Sequence, residues 1–132
     1  MKVQDEMTGL WYQILDLPDR EGNYLEASAS AMFVYAFAKG VRNRYLAPDY
    51  LLSARRGYNG LLQNLIKIDS QGLLTLEKVC GGAGLGGEPY RDGSFEYYIT
   101  EKIIPNDPKG VGPFILAALE MERAGINAEI AE

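Results

Sequence analysis

From Ala27 to Ala38 the chain reads Ala-Ser-Ala-Ser-Ala-Met-Phe-Val-Tyr-Ala-Phe-Ala, twelve residues without a charge, and no other stretch constrains the fold as strongly. Within Asn23–Lys39 it predicts one helix with almost no polar face, and a helix apolar all round has to be enclosed by other elements. At about 1.5 Å per residue the run spans roughly 18 Å, short of the roughly 20 apolar residues that cross a bilayer, so it reads as the inner helix of a soluble fold. Asn23 and Glu26 have the spacing of a capping box, and Gly40 predicts the stop.

The rest of the chain can be laid around that helix. Gly9–Leu15 alternates bulky and polar residues as a short strand does, and Pro18–Gly22 supplies a turn. Ala47-Pro48-Asp49 breaks the first helix and offers Asp49 as the next N-cap. Leu51, Ala54, Tyr58, Leu61, Leu65 and Ile68 then recur at steps of three and four, which predicts an amphipathic helix. Arg55, Arg56, Asn59, Gln63, Asn64 and Lys67 form its wet face, placing it outside the first helix. Gly57 and Gly60 weaken it by up to about 1 kcal/mol each relative to alanine. Asp69–Gly72 reads as a turn and Leu73–Val79 as a second strand. A second inner helix is expected from Pro113 to Arg123, with Gly125 as its stop. Two units of turn, strand, loop and inner helix thus flank one outer helix, the alternation of a helical toroid or solenoid.

A chain of 132 residues with 47% hydrophobic content suits one domain over 1–132, able to bury a core without disulfides or metals. Its 13 basic and 18 acidic residues leave net charge −5 with no basic stripe, which argues against a nucleic-acid partner. One cysteine, Cys80, excludes an internal disulfide and Cys-x-x-Cys metal clusters. Histidine is absent, so Ser-His and Cys-His catalysis are excluded within this chain. Acid-base chemistry would fall to carboxylates or tyrosines. The acidic start Met1–Met7 lacks a signal peptide's apolar core, so a cytoplasmic location and no membrane partner are expected.

The segment from Cys80 to Lys109 is a long connection rich in glycine and aromatics, the kind of loop that usually carries function. Gly82-Ala-Gly-Leu-Gly-Gly87 matches the dinucleotide fingerprint, but Glu88–Gly93 is a turn sequence and no helix opens to hold phosphates. Tight passage of a glycine loop past other backbone is the better reading. Pro89–Tyr98 gathers three tyrosines, two carboxylates and an arginine. Aromatic faces beside carboxylates and hydroxyls suit a sugar; the alternative is local pairing of Arg91 with Asp92 while the tyrosines pack the loop down.

Gly9-Leu-Trp-Tyr-Gln13, Asn23–Ala36, Gly84–Gly87, Tyr90–Tyr98 and Asn106–Phe114, in that order, resemble glycoside hydrolase family 105 from about Gln4 to Glu122. The resemblance implies an all-α fold, part of an (α/α)6 barrel with short β-hairpin segments and a long Gly/Tyr-rich loop. It also implies an unsaturated rhamnogalacturonyl hydrolase, which removes the unsaturated uronic acid left at a pectin chain end. An aspartic acid protonates the sugar's double bond and water adds, with no metal or other cofactor required. The chain encodes too few helices for a closed barrel and looks like the C-terminal third. The family's proton donor and histidine belong to the remainder, so no catalytic residue is assigned here and inactivity alone is expected. Candidate substrate-binding residues are Trp11 and Tyr12 on the first strand, Glu26, Ser28 and Ser30 at the inner helix start, and Tyr90, Asp92 and Tyr98 on the loop. The expected partners are an oligosaccharide with an unsaturated uronic acid end and a second copy of the chain, since the inner helix has few neighbours. A non-catalytic helical module that binds carbohydrate or protein is the alternative.

Overall fold

The computed structural model describes residues 2–125. Four helices and one two-stranded hairpin are present among them: α1 (Ala27–Arg42), α2 (Asp49–Asn64), β1 (Ile66–Ile68), β2 (Leu74–Leu76), α3 (Phe95–Thr100) and α4 (Pro108–Arg123). The helix-rich class agrees with expectation, and α1 is the element the others pack against, touching both α2 and α4 while those two meet only slightly. Its buried side is Ala27, Ser30, Ala31, Val34 and Ala38, small enough for both neighbours to come close. It is not enclosed on all sides, however, because Met32 is 47% exposed.

Several boundaries differ from the sequence reading, each for a local reason. α1 begins at Ala27, and Glu26 is its N-cap. Asn23 instead clamps the preceding loop: its amide donates to the carbonyls of Ile14 and Leu17, and its oxygen accepts from the Ile14 N–H. Gly40 does not stop the helix. It is buried inside α1, where a Cβ would meet Leu46, and the helix ends at Arg42. Gly9–Leu15 contributes only an isolated bridge, Tyr12 to Leu25. α2 has Pro48 at its N-cap position, with no side-chain cap hydrogen bond, and ends at Asn64, because Ile66–Ile68 turns into β1 and pairs antiparallel with β2, Ile66 opposite Leu76. The Asp69–Gly72 turn closes that hairpin, the Asp69 carboxylate accepting from the N–H groups of Gln71 and Leu73.

Gly57 and Gly60 serve packing rather than merely costing helix propensity. A Cβ at Gly57 would lie 2.8 Å from the Trp11 ring and from Val34, and one at Gly60 would run into the Thr8 carbonyl. The two glycines let the segment Thr8–Trp11 lie directly on α2. Trp11 is thereby buried between helices, its ring 5.0 Å from Phe33 and 6.0 Å from Phe37.

α4 starts five residues before the expected Pro113, with Asp107 as its N-cap accepting from the Lys109 N–H, and Pro113 lies inside the helix. It ends as expected, with Gly125 at φ 73, a left-handed conformation suited to glycine. Expected as an inner helix, it is instead two-faced: Ala117 and Met121 are buried, whereas Ile115, Leu116 and Leu119 are 53%, 44% and 44% exposed. At its C-terminal end Glu120 is buried and receives Arg42 of α1 in a bidentate pair at 2.7 and 2.9 Å, with Arg123 at 2.8 Å. The long loop contains one unpredicted helix, α3, capped by Ser94. α3 docks on the loop ahead of α1, where Arg20 stacks 3.8 Å over Phe95 and pairs with Glu96.

Candidate functional site

The start of α1 is organised by one buried carboxylate. Glu26 is 1% exposed and forms no ion pair among the described residues; its oxygens are met by hydrogen-bond donors instead. Oε1 accepts the N–H groups of Ser28 at 3.1 Å and Cys80 at 2.8 Å, Oε2 accepts that of Ala29 at 2.6 Å, and the Ser28 hydroxyl lies 2.8 and 2.9 Å from the two oxygens. The Ala27 N–H goes to the Lys78 carbonyl at 3.0 Å, with Lys78 held at φ 55. The first N–H groups of α1 are therefore consumed within the protein, and its dipole is met by a built-in carboxylate. Cys80 follows β2, so Glu26 also fastens the glycine loop to the helix.

Beside this cap lies a cleft of about 480 Å³, lined by Gln13, by Ser28, Ala29 and Met32 on α1, by Cys80, Gly82 and Ala83 on the loop, and by Lys109 and Pro113 on α4, with Glu26 at its floor. The N-terminal turns of α1 and α4 thus converge on one opening. Asp107 fixes the Lys109 ammonium at 2.9 Å, and that hydrogen bond holds the Asp107 carboxyl below the usual carboxylate range. The Gln13 amide donates to the Cys80 sulfur at 3.4 Å. Close to Cys80 and Glu26, the Tyr24 hydroxyl is buried without a hydrogen-bond partner among the described residues. Burial raises its pKa above the normal phenol range, with Cys80 and Glu26 adding to the effect, so it stays neutral.

The sequence pattern of Glycosyl Hydrolase Family 88 matches residues 1–125. The chain belongs to this family. A solved family 105 glycoside hydrolase of C. acetobutylicum ATCC 824 is 52% identical, with a TM-score of 0.89 over 92% of this chain and 34% of that one. A possible member of family 105 from Salmonella enterica serovar Paratyphi A is 31% identical, with a TM-score of 0.75 over 95% of this chain and 29% of that one. A 24.9 kDa protein in the picA locus of Rhizobium radiobacter is 42% identical over 124 residues, 89% of this chain and 53% of that protein. The family 105 resemblance holds. The chain spans about a third of the solved relatives and about half of the curated one.

Against that family background, the residues expected at the site separate. Glu26 and Ser28 line the cleft. Ser30 is buried one turn on, where its hydroxyl accepts the Trp11 N–H at 3.1 Å, and Trp11 itself lies in the core at 1% exposure, so neither offers a pocket wall in this chain. Tyr12 lines a different opening of about 620 Å³ with Lys2, Leu15 and Asp16. Tyr90 is 78% exposed. Asp92 does not pair with Arg91: it accepts the Ser94 N–H, which lowers its pKa, while Arg91 donates to the Gly86 carbonyl. Tyr98 stacks edgewise on Tyr97 at 5.3 Å, and the Tyr97 hydroxyl accepts the Gly84 N–H. The glycine loop wraps the Arg91 side chain, which a Cβ at Gly84 would meet at 2.6 Å, so the close passage is past a side chain and not past other backbone as expected. Gln13, Cys80 and Lys109 were not anticipated as lining residues. Lys109 was legible in principle, since it stands in the Asn106–Phe114 string just ahead of a helix-compatible proline.

Proposed function

We propose that this chain forms part of the wall of an (α/α)6 glycoside hydrolase acting on unsaturated rhamnogalacturonan oligosaccharides, and that it is inactive alone. The observation that carries this reading is the state of Glu26. It is the one carboxylate lining the cleft, and its oxygens are already occupied by the donors of Ser28, Ala29 and Cys80. Oxygens tied to three backbone N–H groups at the start of α1 and on the loop are committed to holding the fold together rather than to a ligand in the cleft. The proton-donating acid is then supplied by the part of the enzyme outside this chain, in keeping with the coverage of about a third of the solved relatives.

Loss of general acid catalysis costs about two to four orders of magnitude, so the purified chain leaves the ultraviolet absorbance of an unsaturated rhamnogalacturonyl disaccharide unchanged over hours while a full-length family 105 enzyme removes it. Turnover near that of the full-length enzyme refutes the reading. The open stripe Ile115, Leu116 and Leu119 supports a second element of it, association of two copies when the chain is alone.

A further inference from the structure

The hydrogen bonds that start α1 leave one neighbouring group unexplained. Tyr24 is 9% exposed, and its hydroxyl is the one buried side-chain polar atom among the described residues that has no hydrogen-bond partner. A hydroxyl shut away from water in this state destabilises the fold unless something accepts its proton. It lies against the Cys80 thiol, a weak acceptor, without closing a hydrogen bond to it. Gln13 brings a second donor to the same sulfur at 3.4 Å. Cys80 is itself buried, yet it borders the cleft, so a small molecule in the opening can reach it. An oxygen bound to that sulfur would be a far better acceptor for both donors than sulfur is.

We propose that Cys80 is a site of reversible oxidation, at which a small hydroperoxide converts the thiol to a sulfenic acid whose oxygen accepts the Tyr24 O–H. This modification is independent of the hydrolase reading. The sulfur lone pair attacks one peroxide oxygen, and the S–O bond forms as the O–O bond breaks. The departing hydroxide takes up the thiol proton and leaves as water; sulfur gives up two electrons and the peroxide receives them. Two onward routes are then closed. Cys80 is the chain's one cysteine, so no disulfide forms within it, and the Gly81 nitrogen that a sulfenamide would need keeps its N–H on the Lys102 carbonyl at 2.7 Å. The Cys80 N–H is likewise held by Glu26 at 2.8 Å, which keeps the backbone under the sulfur in place. The sulfenic acid therefore waits for a thiol from solution to reduce it.

Peptide mass spectrometry of the 132-residue chain after brief exposure to hydrogen peroxide tests this. The Cys80 peptide is expected to gain one oxygen that dithiothreitol removes, a reversal that oxidised methionines such as the exposed Met7 do not share. Tyr24→Phe deletes only a hydroxyl without a partner, so the reduced variant should melt no lower than the parent. Its sulfenic acid, deprived of the internal donor, should pass on to sulfinic acid several-fold faster. A purely structural tyrosine would change the melt and leave that lifetime alone. Oxidation of Met7 with none at Cys80, an oxygen on Cys80 that dithiothreitol does not remove, or equal sulfenic lifetimes in the parent and Tyr24→Phe overturns the assignment.

Discussion

Glu26→Gln separates a cap that needs an oxygen from a cap that needs two. In an isolated capping box glutamine replaces glutamate with little loss, since one acceptor oxygen suffices. Here both oxygens accept backbone N–H groups, those of Ser28 and Cys80 on one and that of Ala29 on the other. Glutamine presents an NH₂ to at least one of them, and a buried N–H left without an acceptor costs about 1–3 kcal/mol. Loss of the negative charge at the N-terminus of α1 adds about 0.3–1 kcal/mol. The sum, about 1–4 kcal/mol, corresponds to a melting temperature lower by roughly 5–16 °C for a domain of this size. Glu26→Ala abandons all three N–H groups and should cost more, whereas Ser28→Ala removes only a hydroxyl donor and should stay within about 1 kcal/mol. Thermal melts followed by circular dichroism give the ranking, and amide exchange at Ala29 and Cys80 reports which bond opened. A Glu26→Gln melt within about 1 °C of the parent refutes the argument, since an unsatisfied N–H in a site this buried cannot be free of cost.

Other perturbations read other joints. Gly60→Ala should destabilise by about 1–2 kcal/mol in urea melts, the collision with the Thr8 carbonyl outweighing the roughly 1 kcal/mol of helix propensity gained. The Glu120 pKa is lowered, first by its hydrogen bond from Arg42; its folded value lies below the unfolded one, so its stabilisation is full above about pH 4.3 and is lost as pH falls through the folded pKa. Glu120→Gln should therefore flatten the acid limb of the stability curve, and an unchanged limb would count against the Arg42 pair. Replacing Leu116 and Leu119 together by aspartate should turn any dimer seen by light scattering into a monomer, and a parent chain that is monomeric at tens of micromolar would show that the α4 stripe does not pair two copies.

The fold was most legible where a pattern was long and its cause local. α1 follows from twelve uncharged residues, α2 from its three-and-four spacing, the hairpin turn from Asp69–Gly72, and the end of α4 from Gly125. It was least legible where a distant partner decides. Glu26 looks like the far end of a capping box until Cys80, 54 residues away, is brought to it, and then it becomes the N-cap itself. Gly57 and Gly60 look like weak points of a helix until Trp11 and Thr8 are laid across them. Pro113 looks like a helix start because proline suits a first turn, but Asp107 supplies the stronger cap and the helix begins at Pro108.

The site shows the same division, and it bears on how its residues should be weighed. Aromatic residues drew the sequence reading toward Trp11 and Tyr90–Tyr98, yet residue type alone does not say whether a ring is spent on the core. Trp11 is spent there, held by Phe33 and Phe37 and by the two glycines of α2, and the tyrosines of the loop pack on one another or stand in solvent. No aromatic residue lines the cleft among the described residues: small and aliphatic groups, Ser28 and Ala29 on α1, Ala83 on the loop and Pro113 on α4, stand there beside Gln13, Glu26 and Lys109. They meet where both helices begin, one capped by Glu26 and the other by Asp107, with Cys80 of the loop tied to Glu26. The caps therefore do two tasks with one set of hydrogen bonds: they start the helices, and they fix the width of the opening. A substitution at Glu26 that lowers stability should also change the cleft, whereas one at Gly60, beside Thr8 and Leu10, should lower stability and leave the cleft as it was.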